Sequence, residues 1–165
     1  MAVAVVLICA VLIAAVDQVI KYFVYTNLSP NGSVDVIDNL FSLVYTENRG
    51  AAFGIFQNGT FVFCIITGVL IGVFLYLLIN KKFKGKLFYT AVALIIGGGA
   101  GNLIDRIFRG FVIDYLSVSF FPAVCNLADY CVTVGAVLFM ICILTSSEIS
   151  GKMTERNDVE EEKNE

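Results

Sequence analysis

The chain has 165 residues, 58% of them hydrophobic and 15% charged, with a net charge of -3 and a mean hydropathy of +0.85. That composition excludes an ordinary water-soluble domain and belongs to a membrane protein. The absence of histidine excludes Ser-His and Cys-His nucleophile pairs and HExxH zinc sites, and the acids collect at the C-terminus with no basic patch suited to nucleic acid.

From Met1 to Val16 the sequence is almost wholly apolar and lacks the basic segment of a cleavable signal peptide, so it reads as a retained membrane helix. A span needs about 20 residues, which predicts helix 1 over 2–25 and leaves Asp17 inside it, four residues before Lys21. Such a pair can neutralise itself on one helix face; alone, it reads as a snorkelling ion pair anchoring the helix end. Residues 27–59 form a connection too long for a mere linker. It holds a turn-rich NLSPNGS, a strand-like 34–46 and then NRGAAFG, where small residues permit close backbone approach and Asn48 offers both donor and acceptor. An ordinary hairpin turn would read the same way.

The uncharged run 61–79 is the second predicted span, followed by NKKFKGK, whose lysines place this loop on the cytoplasmic side. The third span, 87–104, contains Gly97, Gly98, Gly99 and Gly101, which read as helix-packing positions. A second outer connection, 106–124, has strand-like alternation over 111–119 and Pro122 before the fourth span, 126–145. The tail, 148–165, is polar and acidic and is expected to be disordered in the cytoplasm. The reading is an all-α membrane protein with one domain over 1–147, four spans and both termini cytoplasmic. The five cysteines form no CxxC pair and mostly sit in apolar runs, so neither a disulfide framework nor a metal site is expected.

This topology puts Asp17, Asn102, Asp105, Asn126 and Asp129 in one layer at the outer ends of helices 1, 3 and 4. Ionisable groups at membrane depth are costly and read as functional. Asn102 with Asp105, and Asn126 with Asp129, are each spaced i,i+3 and so share a helix face. Singly, they have plainer readings: a capping box for Asn126 and Asp129, a surface ion pair for Asp105 with Arg106 or Arg109. Two aspartates facing each other in a desolvated cleft would share a proton. One could then activate water and the other protonate a leaving amine. Spacing alone leaves open whether Asp105 or Asp114 partners Asp129.

The blocks DQVIK (17–21), NRGAAF (48–53), GGGAGNLIDR (97–106), VIDYL (112–116) and NLADY (126–130) occur in this order. In these blocks and its span plan the chain resembles bacterial lipoprotein signal peptidase, also called signal peptidase II. The resemblance implies an aspartic endopeptidase of the bacterial plasma membrane that cuts prolipoproteins before a diacylglyceryl-modified cysteine, without metal or other cofactor. It implies a small extracytoplasmic β-sheet over the site, the catalytic pair on Asp114 and Asp129, and supporting roles for Asp17, Lys21, Asn48, Gly50, Asn102, Asp105, Arg106 and Asn126. Asp105 beside Arg106 is expected to be a buried structural pair. The implied partners are the lipidated precursor, membrane lipids and globomycin-type cyclic peptide inhibitors, with no nucleic acid; a monomer is expected. Where the family commonly has Phe before the Asn of NLADY, this chain has Cys125, which touches local packing.

Two rival readings follow from the residues. A small transporter would place its acids near the bilayer midplane in corresponding half-repeats, and no internal repeat is found. A Ser-Lys peptidase would use Ser29 and Lys21, but Asp17 already lies within reach of Lys21.

Overall fold

The computed structural model describes residues 2–29, 32–50, 59–80 and 83–145. The end of the NRGAAF block (51–53), Lys81, Lys82 and the acidic tail lie outside the described residues. The elements run α1 (Ala2–Leu28), β1 (Ser33–Ile37), β2 (Phe41–Asn48), α2 (Thr60–Ile79), α3 (Lys86–Arg109), β3 (Val112–Val118), β4 (Phe121–Cys125) and α4 (Leu127–Leu144). Each of the four helices is long and apolar enough to cross a membrane.

α3 is the axis of the bundle, with α1, α2 and α4 packed around it. Its glycines explain why: a Cβ on Gly98 would stand 2.5 Å from the Ala128 carbonyl oxygen of α4, and one on Gly101 would stand 2.6 Å from Asp17 Oδ2 of α1. Only a bare backbone admits two neighbours that close. Away from the sheet, Phe74, Leu78, Phe88, Val92 and Ile95 form the main apolar core. The outward faces keep Val5, Ile8, Leu12, Phe61, Ile65 and Leu144 exposed, the arrangement a helix adopts toward lipid.

α3 runs five residues past its expected end, so Arg106 is helical rather than in the outer connection. Arg106 and Arg109 in its last turn suit the helix's negative end. Gly110 then stops it in the left-handed region, at φ 80, with its N–H donating to the Arg106 carbonyl.

The strands form an antiparallel sheet in the order β1-β2-β3-β4. The strand-like alternation of 34–46 and 111–119 is realised as β1, β2 and β3, whereas β4 is an addition. It carries Pro122, which the sheet's edge tolerates because a missing N–H there costs no ladder bond. Val24 of α1 packs with Ile113 and Tyr115 of β3, flanked by Leu43 and Leu127. The sheet is thereby seated on the end of the bundle where α1 and α3 finish and α4 begins.

Candidate active site

Asp114 is carried by β3 at the register position opposite Thr46 of β2, while Asn48 stands opposite Val112. Residues two apart on a strand share a face, so Asn48 is the diagonal neighbour of Asp114, and its Nδ2 donates to Asp114 Oδ2 at 2.8 Å. The Gly50 N–H donates to Asn48 Oδ1 at 3.1 Å. That contact uses the oxygen and turns the NH2 group toward the carboxylate.

Asp129 sits in the first turn of α4. Asn126 caps this helix: its Oδ1 accepts the Asp129 N–H at 2.9 Å, and Asp129 Oδ2 accepts the Asn126 N–H at 3.1 Å. The capping box anticipated as the plain reading is therefore present, and it is also what holds Asp129. The same Asn126 side chain donates through Nδ2 to Asp114 Oδ1 at 2.6 Å. One fully buried amide thus binds both aspartates.

Beneath them lies an ionic layer. The Lys21 ammonium lies 2.8 Å from Asp17 Oδ2 and 2.9 Å from Asp105 Oδ2, all three side chains having 0% exposure, and it donates to Asn102 Oδ1 at 2.8 Å. Asp17 Oδ2 meets the ammonium without hydrogen-bond alignment, so that contact is electrostatic; its Oδ1 accepts the Ala128 N–H at 3.1 Å. The snorkelling expected of this pair does not occur. Lys21 points inward because two carboxylates and an amide there replace its water. Asn102 also accepts from Asn126 Nδ2 at 3.1 Å and donates through Nδ2 to Asp129 Oδ1 at 2.7 Å.

The expected Asp105–Arg106 pair is not formed. Successive helical residues point about 100° apart, so Asp105 faces Lys21 while Arg106 stacks over the Phe63 ring of α2, 5.3 Å from its centroid. Asp105 instead pairs with Arg109, one turn on, and accepts the Ile113 N–H at 3.2 Å. Gln18 was missed by sequence reasoning. Its Nε2 donates to the Gly101 carbonyl at 3.0 Å and to Asp105 at 3.1 Å, and its Oε1 accepts from Arg109 at 3.2 Å. Its i,i+3 spacing from Lys21 was the available signal.

Burial, and then the charge of Asp129, push the Asp114 carboxyl up to about 7, against the hydrogen bonds from Asn48 and Asn126 and the more distant Lys21 charge. A cavity of about 250 Å³ opens beside Asp129 between α2, α3 and α4, lined by Thr67, Leu70, Gly99, Asn102 and Arg106 among others. Its lining mixes polar Asn102, Arg106 and Asp129 with apolar Leu70 and Val132. Among the described residues no cluster suits a metal ion.

The structure therefore joins Asp17, Lys21, Asn48, Gly50, Asn102, Asp105, Asp114, Asn126 and Asp129 in one connected network, with Arg106 on the neighbouring cavity wall. The family model described as signal peptidase (SPase) II matches residues 9–145. A lipoprotein signal peptidase of Caldanaerobacter subterraneus subsp. tengcongensis is 46% identical over 122 residues, 74% of this chain and 83% of that protein. One of Streptococcus thermophilus is 42% identical, over 80% of this chain and 86% of its own. Two solved structures, described as bacterial membrane enzymes determined by the in meso method at 2.3 and 1.9 Å, superpose with TM-scores of 0.79 and 0.77 at 30% identity. They cover 86% and 87% of this chain, and 88% and 95% of their own.

Proposed function

The chain belongs to the signal peptidase II family of lipoprotein signal peptidases, membrane enzymes that remove signal peptides from prolipoproteins, and we propose that Asp114 and Asp129 are its catalytic pair. The observation that carries this is the Asn126 side chain, hydrogen-bonded to both residues at once. Asn126 binds the Asp114 carboxylate and the Asp129 backbone N–H, and the Asp129 charge acts on Asp114, so the two do not both ionise readily and the pair keeps one proton. The ionised member takes a proton from water as the oxygen attacks the scissile carbonyl carbon. The protonated member delivers its proton to the amide nitrogen as the C–N bond breaks. A carboxylic acid and a free amine result, with no covalent enzyme intermediate.

The substrate in this reading is a precursor whose cysteine carries a diacylglyceryl group, cut on the N-terminal side of that cysteine. The signal peptide and the lipid chains lie against apolar helix faces in the membrane, and the cavity beside Asp129 takes the residues around the scissile bond. Arg106 on the cavity wall holds substrate backbone in this reading, Asn48 holds Asp114, and globomycin-type cyclic peptides would compete for the cavity. In this reading the protein is a monomer of the bacterial plasma membrane, with both termini in the cytoplasm and the sheet on the outer face.

The test is cleavage of a lipidated and an unlipidated precursor by purified protein and by its Asp114→Asn and Asp129→Asn variants. Cleavage confined to the lipidated precursor and abolished in both variants is expected. Retention of normal processing by either variant removes the two-aspartate mechanism, while equal cleavage of both precursors removes the lipid requirement.

A further inference from the structure

The two aspartates are not equivalent, and the difference traces to Asn102. An ammonium has only hydrogens to offer, so the oxygen of the Asn102 amide must face Lys21, where it lies at 2.8 Å. The Asn126 Nδ2 hydrogens, at 3.1 Å, demand the same oxygen. With its oxygen engaged by both donors, Asn102 has only its NH2 to present to Asp129 Oδ1, 2.7 Å away. A free amide could turn over and present its oxygen; this one cannot.

Asp129 thus receives a donor on each oxygen, from Asn102 and from the Asn126 backbone, at the positive end of α4. Of the charged and titratable groups, Arg106 of α3, Lys21 of α1, Tyr115 of β3 and Cys125 of β4 face the pair. Asp129 also borders the cavity, whereas Asp114 is 2% exposed beneath the sheet. Water in the cavity can reach Asp129, and burial favours the neutral form of Asp114.

Resting on the two-aspartate reading above, we propose that Asn102, locked by Lys21, is a positioning residue that assigns the roles: Asp129 is the carboxylate that takes the proton of the attacking water, and Asp114 carries the proton given to the leaving amine. The water's hydroxyl joins the carbonyl carbon and its other hydrogen goes to Asp129. The hydrogen on Asp114 goes to the nitrogen as the C–N bond opens. Turnover leaves the proton on Asp129, and exchange with solvent restores the starting state.

The experiment is the pH profile of kcat/KM for lipidated precursor, measured for the native protein, Asn102→Leu and Asn48→Leu. Asn102→Leu keeps the side-chain outline and removes the donor to Asp129. The acid limb, where the base of the pair becomes protonated, is expected to move up by roughly one pH unit, a roughly tenfold loss on that side, with the alkaline limb in place. Asn48→Leu removes a donor from Asp114 and is expected to move the alkaline limb upward instead. Movement of the alkaline limb by Asn102→Leu reverses the assignment. A lower rate with neither limb moved makes Asn102 structural only. Either result overturns the proposal while leaving the two-aspartate mechanism standing, because that mechanism fails only when Asp114→Asn or Asp129→Asn stays active. Thermal unfolding of each variant controls for folding, and Asn102→Ser, too short to reach Asp129, replaces Asn102→Leu should the latter not fold.

Discussion

Lys21→Met is the sharpest probe of what holds the site end of the bundle together. Met follows the lysine stem and fits a buried channel, so the change removes the charge with little change of shape. In the native protein the ammonium lies within 2.9 Å of Asp17 and Asp105, and none of the three side chains is exposed. Asp105 keeps Arg109 after the change, but Asp17 keeps only the Ala128 N–H. Breaking a buried pair from one side typically costs about 3–5 kcal/mol, a large share of a total stability of about 5–15 kcal/mol. At about 2–4 °C per kcal/mol for a chain of this length, the unfolding temperature should fall by roughly 6–20 °C. The assay is thermal unfolding in detergent or nanodiscs, run beside Asp17→Asn and the double variant. Neutralising Asp17 removes the stranded charge, so the double variant should be more stable than Lys21→Met alone, a strong non-additivity. Should Lys21→Met melt within about 2 °C of the native protein, or the two losses simply add, the ionic layer is not what organises this end of the molecule.

Gly101→Ala would place a methyl group 2.6 Å from Asp17 Oδ2, so the carboxylate must shift and weaken its contact with Lys21 or the bond its Oδ1 accepts from Ala128. Overpacking of this kind costs about 1–3 kcal/mol, so a lower unfolding temperature and slower cleavage are expected, whereas Gly72→Ala on α2, with nothing within 4 Å of the added carbon, should leave both unchanged. Because burial and the Asp129 charge raise the Asp114 carboxyl to about 7, its proton is present well below that pH and lost above it. Cleavage at saturating lipidated precursor should therefore fall as pH rises through about 7, and a rate still climbing from pH 7 to 9 would contradict this placement of the proton.

Much of the site was legible because membrane helices restrict where polar residues can be. Asp17, Lys21, Asn102, Asp105, Asn126 and Asp129 stand out against runs that are otherwise uncharged, and their positions at helix ends put them in one layer before any packing is known. Asn48 and Asp114 were different. Both sit on strands, and although each was noticed as a candidate, only the family blocks chose them over a plain hairpin turn and over Asp105. Gln18 went unassigned because it acts through Asp105, and a residue whose work is to orient another has no motif of its own; Arg109 was anticipated as a surface partner of Asp105 and pairs with a carboxylate that is fully buried.

The sequence by itself determined the four spans, the end of the bundle where the polar network gathers and the residue types in it, because hydropathy and the cost of buried charge act along the chain. Only the tertiary structure decided the pairings: Asp105 with Lys21 and Arg109 rather than Arg106, Asn48 diagonal to Asp114, and Asn126 hydrogen-bonded to both aspartates. Those follow from helix phase, strand register and the close approach that Gly98 and Gly101 allow. Such contacts join residues far apart in the chain, and local spacing carries no record of them.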